Sequence, residues 1–166
     1  MAAIRQDYEF MGDGGKAVTG ADVDYRGAAA GYAAQPKECV NYVSAHDNYV
    51  LFDQISAKAP FKAAGRTPET ATAEDRARMA RLGLSIVALG EGIPFFHAGD
   101  EMLRSKSGDG DSYNAGDWYN SLDWTYSSNK LGVGLPNKQR NEAEWPFWTP
   151  RLQDAGIRPT QELMTA

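Results

Sequence analysis

The spacing of apolar and polar residues predicts two short strands in the middle of this chain. Residues 39–44, CVNYVS, combine β-branched and aromatic side chains in a way that is typical of a strand. Residues 93–99, IPFFHAG, form a short apolar run, which indicates a strand that is buried on both faces.

The segment between the two strands carries helical periodicity twice. A short amphipathic helix is predicted within residues 47–59, where four residues stand at helical spacing: Val50, Leu51, Gln54 and Ile55. After a predicted loop over residues 60–72, Thr72 and Asp75 mark the start of a longer helix. Four apolar residues of that helix form one stripe: Met79, Leu82, Ile86 and Leu89. Strand, helices and strand make a β-α-β unit, whose crossover is nearly always right-handed.

The segments on either side of this unit lack a steady period. Residues 11–35 are rich in glycine and alanine, so we predict a long connection with one short extended piece near Val18. The residues after Asp100 are polar and aromatic, and a loop of such length is more often functional than idle. Residues 158–166, RPTQELMTA, begin like a helix.

Charge and composition exclude several classes of protein. The formal net charge is −5, with 17 basic and 22 acidic residues, which argues against a nucleic-acid partner. No apolar run is long enough to span a membrane, and residues 1–10 lack the features of a signal peptide, so no membrane partner is expected. Cys39 is the single cysteine, which excludes an internal disulfide and leaves the compartment open.

A metal or cofactor site is not predicted from these residues. Residues 109–117, DGDSYNAGD, place oxygen ligands at calcium-like spacing but lack the glycine and the closing glutamate of an EF-hand, so an acidic loop is favoured. With two histidines, one cysteine and no HExxH motif, zinc catalysis is not expected.

Polar side chains follow both predicted strands at the point where each strand ends. They form two groups: His46, Asp47 and Asn48 after the first strand, and Asp100, Glu101 and Arg104 after the second. The carboxyl ends of parallel strands meet at one edge of a sheet, where ligands bind in α/β proteins. The Trp- and Tyr-rich loop that follows favours a sugar ligand, because aromatic faces bury the apolar surfaces of sugar rings.

Each of these groups also has a purely structural interpretation. His46 can be a core histidine with its hydrogen bonds satisfied, and Asp47 can be the N-cap of the following helix. Asp100 and Glu101 can likewise cap the turn after the second strand. The coincidence of two polar groups on one predicted sheet edge favours a site for a polar ligand.

Four segments of the chain carry a specific resemblance to a known family. They are VNYVSAHDN at residues 40–48, GIPFFHAGDEMLRSKSGDGDSYNAGDWYNSLDW at 92–124, GVGLPNKQRNEAEWPF at 132–147 and DVDYRGAAAGYAAQP at 22–36. Together they resemble type I pullulanases and limit dextrinases, which are starch-debranching enzymes of the α-amylase family of glycoside hydrolases. The similarity covers nearly the whole chain.

The resemblance implies an α/β fold that is a fragment of a TIM (β/α)8 barrel. All of residues 1–166 would be part of the catalytic domain. Residues 1–36 would lead into strand 7, residues 37–99 would form the β-α-β unit of strand 7, helix 7 and strand 8, and residues 100–166 would form a substrate-side loop and the start of the last helix.

The resemblance also implies roles for the residues of the two polar groups. Asp47 matches the catalytic carboxylate that stabilises the transition state, and His46 matches the neighbouring histidine that binds the same sugar. Asn48 and the second group are expected to bind substrate: Arg104, with Asp100 and Glu101 behind it. For Glu101 a purely structural role is an equal alternative.

Two departures from the family pattern lie within the matched segments. Tyr49 and Val50 stand where debranching enzymes usually have a Glu-Thr pair, and we expect a mild change on a helix surface. Gly108 and Gly110 replace bulkier residues, which is expected to loosen that loop.

The expected function is hydrolysis of α-1,6-glucosidic branch links in pullulan, amylopectin or limit dextrins, with retention of configuration. Such hydrolysis requires a carboxylate nucleophile and a carboxylic general acid, and the family motifs that carry them are missing from this chain. No nucleophile, general acid or metal ligand is assigned here, although calcium could belong to a complete enzyme. We therefore expect a fragment of a longer enzyme that is inactive alone. The alternatives are a non-catalytic α-glucan-binding remnant and an inactive partner subunit.

Overall fold

A computed structural model describes residues 5–61 and 70–166 of the chain. These residues divide into two compact units, of which the first comprises residues 5–42 and 87–95 and the second residues 43–61, 70–86 and 96–166. Most of the loop predicted over residues 60–72 lies outside the described residues. No described helix is long and apolar enough to cross a membrane.

The first unit contains two small antiparallel hairpins. Strand β1 (Glu9–Met11) pairs with β2 (Ala17–Thr19), and β3 (Asp24–Tyr25) pairs with β4 (Ala28–Ala29). The extended piece predicted near Val18 is confirmed, since Val18 lies opposite Phe10. The remainder of the predicted irregular connection is more ordered than expected, because short hairpins need only a turn and a few backbone hydrogen bonds and leave little periodicity in the sequence.

The first unit also contains the predicted parallel strand pair. Strand β5 (Val40–Asn41) pairs with β6 (Ile93–Pro94), and Asn41 Nδ2 donates to the Glu91 carbonyl at 2.6 Å. Both strands are shorter than predicted. The expected burial on both faces is wrong, because Ile93 and Phe95 are 51% and 45% exposed. Within the described residues β5 and β6 form a two-stranded sheet, so no further strand flanks them.

Helices α1 (Leu51–Lys58) and α2 (Ala73–Leu89) confirm the two predicted helices. The start of α2 has the expected cap. Asp75 Oδ2 accepts hydrogen bonds from the backbone N–H and the hydroxyl of Thr72 at 3.0 and 2.8 Å, and the Asp75 N–H donates back to Thr72 Oγ1 at 3.1 Å. This reciprocal arrangement satisfies donors that the first turn of a helix leaves unpaired.

The buried face of α2 is not the predicted apolar stripe. The four residues of that stripe are 40–86% exposed: Met79, Leu82, Ile86 and Leu89. Ala77 and Ala80 are fully buried instead, and so is Arg76. The Arg76 guanidinium donates to the carbonyls of Ala71, Ile55 and Pro60 at 3.1 to 3.2 Å, which explains how a charged residue is buried there.

The second unit holds the hydrophobic core, which lies between α1 and the C-terminal helices. Its members include Phe52 of α1, Leu103 and Trp148, all nearly or fully buried. The other helices are short: α3 (Asp117–Asn120), α4 (Lys138–Asn141), α5 (Trp145–Gln153) and α6 (Gln161–Thr165). Single 3-10 turns occur at Gly20–Asp22, Pro36–Glu38, Glu142–Glu144 and Ala155–Ile157. Helix α6 confirms the helical start predicted near the C-terminus.

Candidate functional site

The His46–Asn48 turn lies between β5 and α1 and presents its side chains to solvent. The His46 and Asp47 side chains are 83% and 80% exposed, and His46 Nδ1 lies 3.3 Å from Asp47 Oδ1. Asn48 adopts a left-handed backbone conformation with φ of 60°, which turns the chain into α1. His46 is therefore not a core histidine. Asp47 is not the helix cap either, because the N-cap of α1 is Val50.

The second polar group reaches the first through Asp100. Ser44 Oγ, two residues before His46, donates to Asp100 Oδ2 at 2.5 Å, and both residues are buried. Burial raises the pKa of the Asp100 carboxyl, while the Ser44 hydrogen bond opposes the rise. Asp100 thus ties the segment that follows β6 to the start of the His46–Asn48 turn.

The side chains of Glu101 and Arg104 both form hydrogen bonds with backbone groups. Glu101 Oε2 accepts a hydrogen bond from the Gly99 N–H at 3.0 Å, which matches the structural interpretation of this glutamate. The Arg104 guanidinium is buried and donates to the carbonyls of Asn120 and Ala98 at 2.7 and 3.5 Å. Burial lowers the pKa of Arg104, and nearby Asp100 counters part of that effect.

A buried carboxylate that the sequence interpretation missed lies beneath this turn. Asp53 of α1 is fully buried. Its Oδ1 accepts from Ser105 Oγ at 2.5 Å, and its Oδ2 accepts from the backbone N–H groups of Lys106 and Gly108 at 2.8 and 3.3 Å. Burial raises the pKa of Asp53 to about 6 against these hydrogen bonds. Asp53 therefore fixes the backbone of residues 105–108, which we call the Asp53 loop.

Lys106 is a second residue that the sequence interpretation did not single out. Its side chain is buried, and Nζ donates to the His46 carbonyl at 3.4 Å. Burial and the charge of Arg104 lower the pKa of Lys106, while the carboxylates of Asp109, Asp53 and Asp47 raise it. A lysine flanked by two serines in a polar segment gives no sequence signal of burial.

His97 stands beside the same charges. It is partly buried, and burial lowers its pKa, as do the nearby positive charges of Arg104 and Lys106. This histidine is consequently biased toward its neutral form.

The calcium-like segment uses its first carboxylate for backbone contacts. Asp109 is fully buried, and its two oxygens accept from the N–H groups of Asp111 and Asn137 at 2.8 Å each. Over the described residues, no cluster of three or more His, Cys, Asp or Glu side chains could hold a metal ion.

The two departures from the family pattern have structural consequences that were not expected. Val50 is fully buried and Tyr49 packs against Trp148, with ring centroids 5.4 Å apart. The Tyr49 hydroxyl donates to Glu144, and burial together with that carboxylate raises the pKa of Tyr49 to about 12. The expectation of a change on a helix surface is wrong, because this pair lies at the core and not on the solvent side of α1.

Gly108 tightens its loop rather than loosening it. Its backbone φ is +75°, and a Cβ at this position would overlap the Trp148 ring. Gly110 sits similarly against the Tyr49 ring, 3.2 Å from where its Cβ would be. The missing side chains allow the loop to lie directly against aromatic rings, which accounts for the correction.

Aromatic residues of the long loop divide into buried and exposed sets. Trp148 is fully buried, and Trp145 Nε1 donates to the Pro136 carbonyl at 2.8 Å. Tyr113, Trp118 and Trp124 are 79%, 61% and 62% exposed. Exposed aromatic side chains of this kind can stack on sugar rings.

Comparisons with known proteins agree with this picture. The C-terminal family of pullulanase-type α-1,6-glucosidases matches residues 126–166. Pullulanase 1 of Arabidopsis thaliana chloroplasts is 50% identical over 167 residues, which cover 100% of this chain and 16% of that protein. The pullulanase of Klebsiella aerogenes is 40% identical over 159 residues, covering 96% of this chain and 14% of its own length.

Solved structures show the same relationship. The apo pullulanase of Klebsiella pneumoniae matches 99% of this chain and 17% of its own, with a TM-score of 0.82 and 38% identity. The structure of that pullulanase complexed with maltotriose matches with the same TM-score and identity. Sequence and fold thus resemble those of pullulanases along nearly the whole chain. The chain spans only 14–17% of the length of these relatives.

Proposed function

We propose that these residues form part of the catalytic (β/α)8 barrel of a starch-debranching glycoside hydrolase, with β5 as strand 7 and β6 as strand 8. The complete enzyme would cleave α-1,6-glucosidic links in pullulan, amylopectin or limit dextrins with retention. Support comes from the similarity to pullulanases along the whole chain and from the parallel β5–β6 pair with helices between its strands. In the same assignment residues 1–36 lead into strand 7, residues 37–99 form the β-α-β unit and residues 100–166 form the substrate-side loop.

The observation that carries the proposal is the exposed carboxylate of Asp47 beside the imidazole of His46. A carboxylate in this position stabilises the positive charge that develops on the sugar ring as the glycosidic bond breaks. His46 and Asn48 supply hydrogen bonds to the same sugar. Arg104, with Asp100 and Glu101 behind it, forms part of the surface that binds the preceding glucose units. The nucleophile and the general acid come from residues outside this chain.

The proposal is tested in a full-length chimera in which these residues replace the matched segment of the Klebsiella pneumoniae pullulanase. Asp47→Asn should lower kcat for pullulan by several orders of magnitude, since an oriented charge in such a site contributes at least about 3 kcal/mol. His46→Ala should cost less, about 10- to 1,000-fold. Asp13→Asn, at an exposed position of the β1–β2 turn, is the matched control and should leave kcat unchanged. Near-normal turnover by Asp47→Asn would refute the role of Asp47.

The exposed set Tyr113, Trp118 and Trp124 favours a second candidate, a non-catalytic α-glucan-binding protein. Aromatic faces bind sugars without any need for catalytic carboxylates. In that case the chimera would bind maltooligosaccharides through the aromatic set while releasing no reducing sugar from pullulan. The hydrolysis assay therefore separates the two candidates.

A further inference from the structure

The orientation of His46 and Asp47 depends on the backbone of their turn. Both side chains are more than three-quarters exposed, so few packing contacts restrict them. Catalytic side chains must nevertheless stay within a fraction of an ångström of the productive geometry. Contacts to the backbone of the turn therefore determine the position of the Asp47 carboxylate.

Lys106 makes such a contact from the buried side of the turn. Only 4% of the residue is exposed, and Nζ lies 3.4 Å from the carbonyl oxygen of His46. Lysine is almost never buried to this extent unless it is paired, and burial alone would cost several kcal/mol. The ammonium group is thus held among acceptors and charges that include the His46 carbonyl.

The backbone of Lys106 is held by Asp53. The Lys106 N–H donates to Asp53 Oδ2 at 2.8 Å, and the neighbouring Ser105 hydroxyl donates to Asp53 Oδ1 at 2.5 Å. Asp53 belongs to α1, the helix that follows the turn directly. Asp53 and Lys106 consequently connect helix α1, the Asp53 loop and the His46–Asn48 turn through hydrogen bonds of buried polar groups.

We infer that Lys106 is a positioning residue for the reaction, which anchors the His46–Asn48 turn through the His46 carbonyl and brings a positive charge beneath Asp47. This inference rests on the proposed function, since it assigns to Lys106 the task of orienting Asp47. Lys106 does not contact substrate; it acts through the turn.

The test uses the same chimera and initial rates of reducing-sugar release from pullulan. Lys106→Met keeps the length of the side chain and removes the ammonium group. We expect it to lower kcat about 10- to 100-fold with little change in KM, because a displacement of about 1 Å at the reacting groups costs that much. Lys106→Arg retains charge and donors and should recover most of the rate. Lys138→Met, at an exposed lysine of α4 that pairs with Glu142, is the matched control and should match the parent.

A structural role alone gives a different pattern of results. It would lower the melting temperature of Lys106→Met while kcat per folded molecule stayed within about twofold of the parent, and that outcome overturns the inference. A Lys106→Arg variant that folds but recovers no rate also overturns it. If Lys106→Met does not fold, Lys106→Gln is judged by the same criteria. Failure of the proposed function is recognised separately, as a normal kcat for Asp47→Asn in the chimera with Lys106 intact.

Discussion

Gly108→Ala is the sharpest test of how the Asp53 loop is held. Gly108 is buried with φ of +75°, and the added Cβ would meet the ring of Trp148, which is itself fully buried. The ring cannot move aside freely, since it also packs edge-on against Tyr49 and Phe147 with centroids 5.4 and 5.5 Å apart. The backbone of Gly108 is restrained as well, by its N–H bond to Asp53 Oδ2 at 3.3 Å.

The expected cost has two parts. An alanine at positive φ is disfavoured by about 1 kcal/mol. Overpacking of a filled core adds about 1–3 kcal/mol. Gly108→Ala should therefore destabilise the domain by about 2–4 kcal/mol, which is a large share of the stability of an ordinary domain.

A second glycine separates the two parts. Gly14, in the β1–β2 turn, has φ of +79°, nearly that of Gly108, and a Cβ there would meet no atom within 4 Å. Gly14→Ala should cost only the conformational part, about 1 kcal/mol. The measurement is the free energy of unfolding of the chimera in urea, with equal slopes required for the comparison. Equal costs for the two variants would refute the contact with Trp148 as the source of the larger loss.

The remaining predictions concern Asp53 and the isolated chain. The pKa of Asp53 is raised from 3.8 to about 6, so folding favours the protonated carboxyl. The stabilisation that results is complete below about pH 4 and is lost as the pH rises through 6, by about 3 kcal/mol in all. Urea unfolding of the chimera at several pH values should show this loss, and Asp53→Asn should lack it. The 166 residues purified alone should release no reducing sugar from pullulan, and turnover that vanishes with Asp47→Ala would reveal a catalytic pair within them. They should also associate or precipitate, since the β5–β6 pair leaves apolar side chains exposed, and a cooperative melt from a monomer would contradict this.

Local features of the sequence were sufficient to predict helices α1, α2 and α6 and the positions of strands β5 and β6, but not the lengths of these strands. The start of α2 follows from Thr72 and Asp75, which need only each other to form the cap. The position of the His46–Asn48 turn between a strand and a helix follows in the same way. The link between this turn and Asp100 also followed from the rule that parallel strands end at one edge of a sheet.

Burial was the property that the sequence did not determine. Periodicity identified the stripe of Met79, Leu82, Ile86 and Leu89 on α2, yet all four are exposed and Arg76 is fully buried. Periodicity reports that a helix has an apolar face, but not which other segment covers it. Arg76 can be buried because the carbonyls of Ala71, Ile55 and Pro60 accept its hydrogen bonds. These carbonyls surround the guanidinium only in the folded chain.

The supports of the candidate site were decided by tertiary structure alone. Asp53 looks like a solvated charge on a helix and Lys106 like a solvated charge in a loop, but residues 105–108 fold back onto α1 across 53 positions of sequence. Once water is excluded there, the Asp53 carboxylate and the Lys106 ammonium need protein partners, which they find in the loop backbone and the His46 carbonyl. The His46–Asn48 turn can thus be located from a local motif, whereas the residues that hold it in place depend on contacts that form only when distant segments meet.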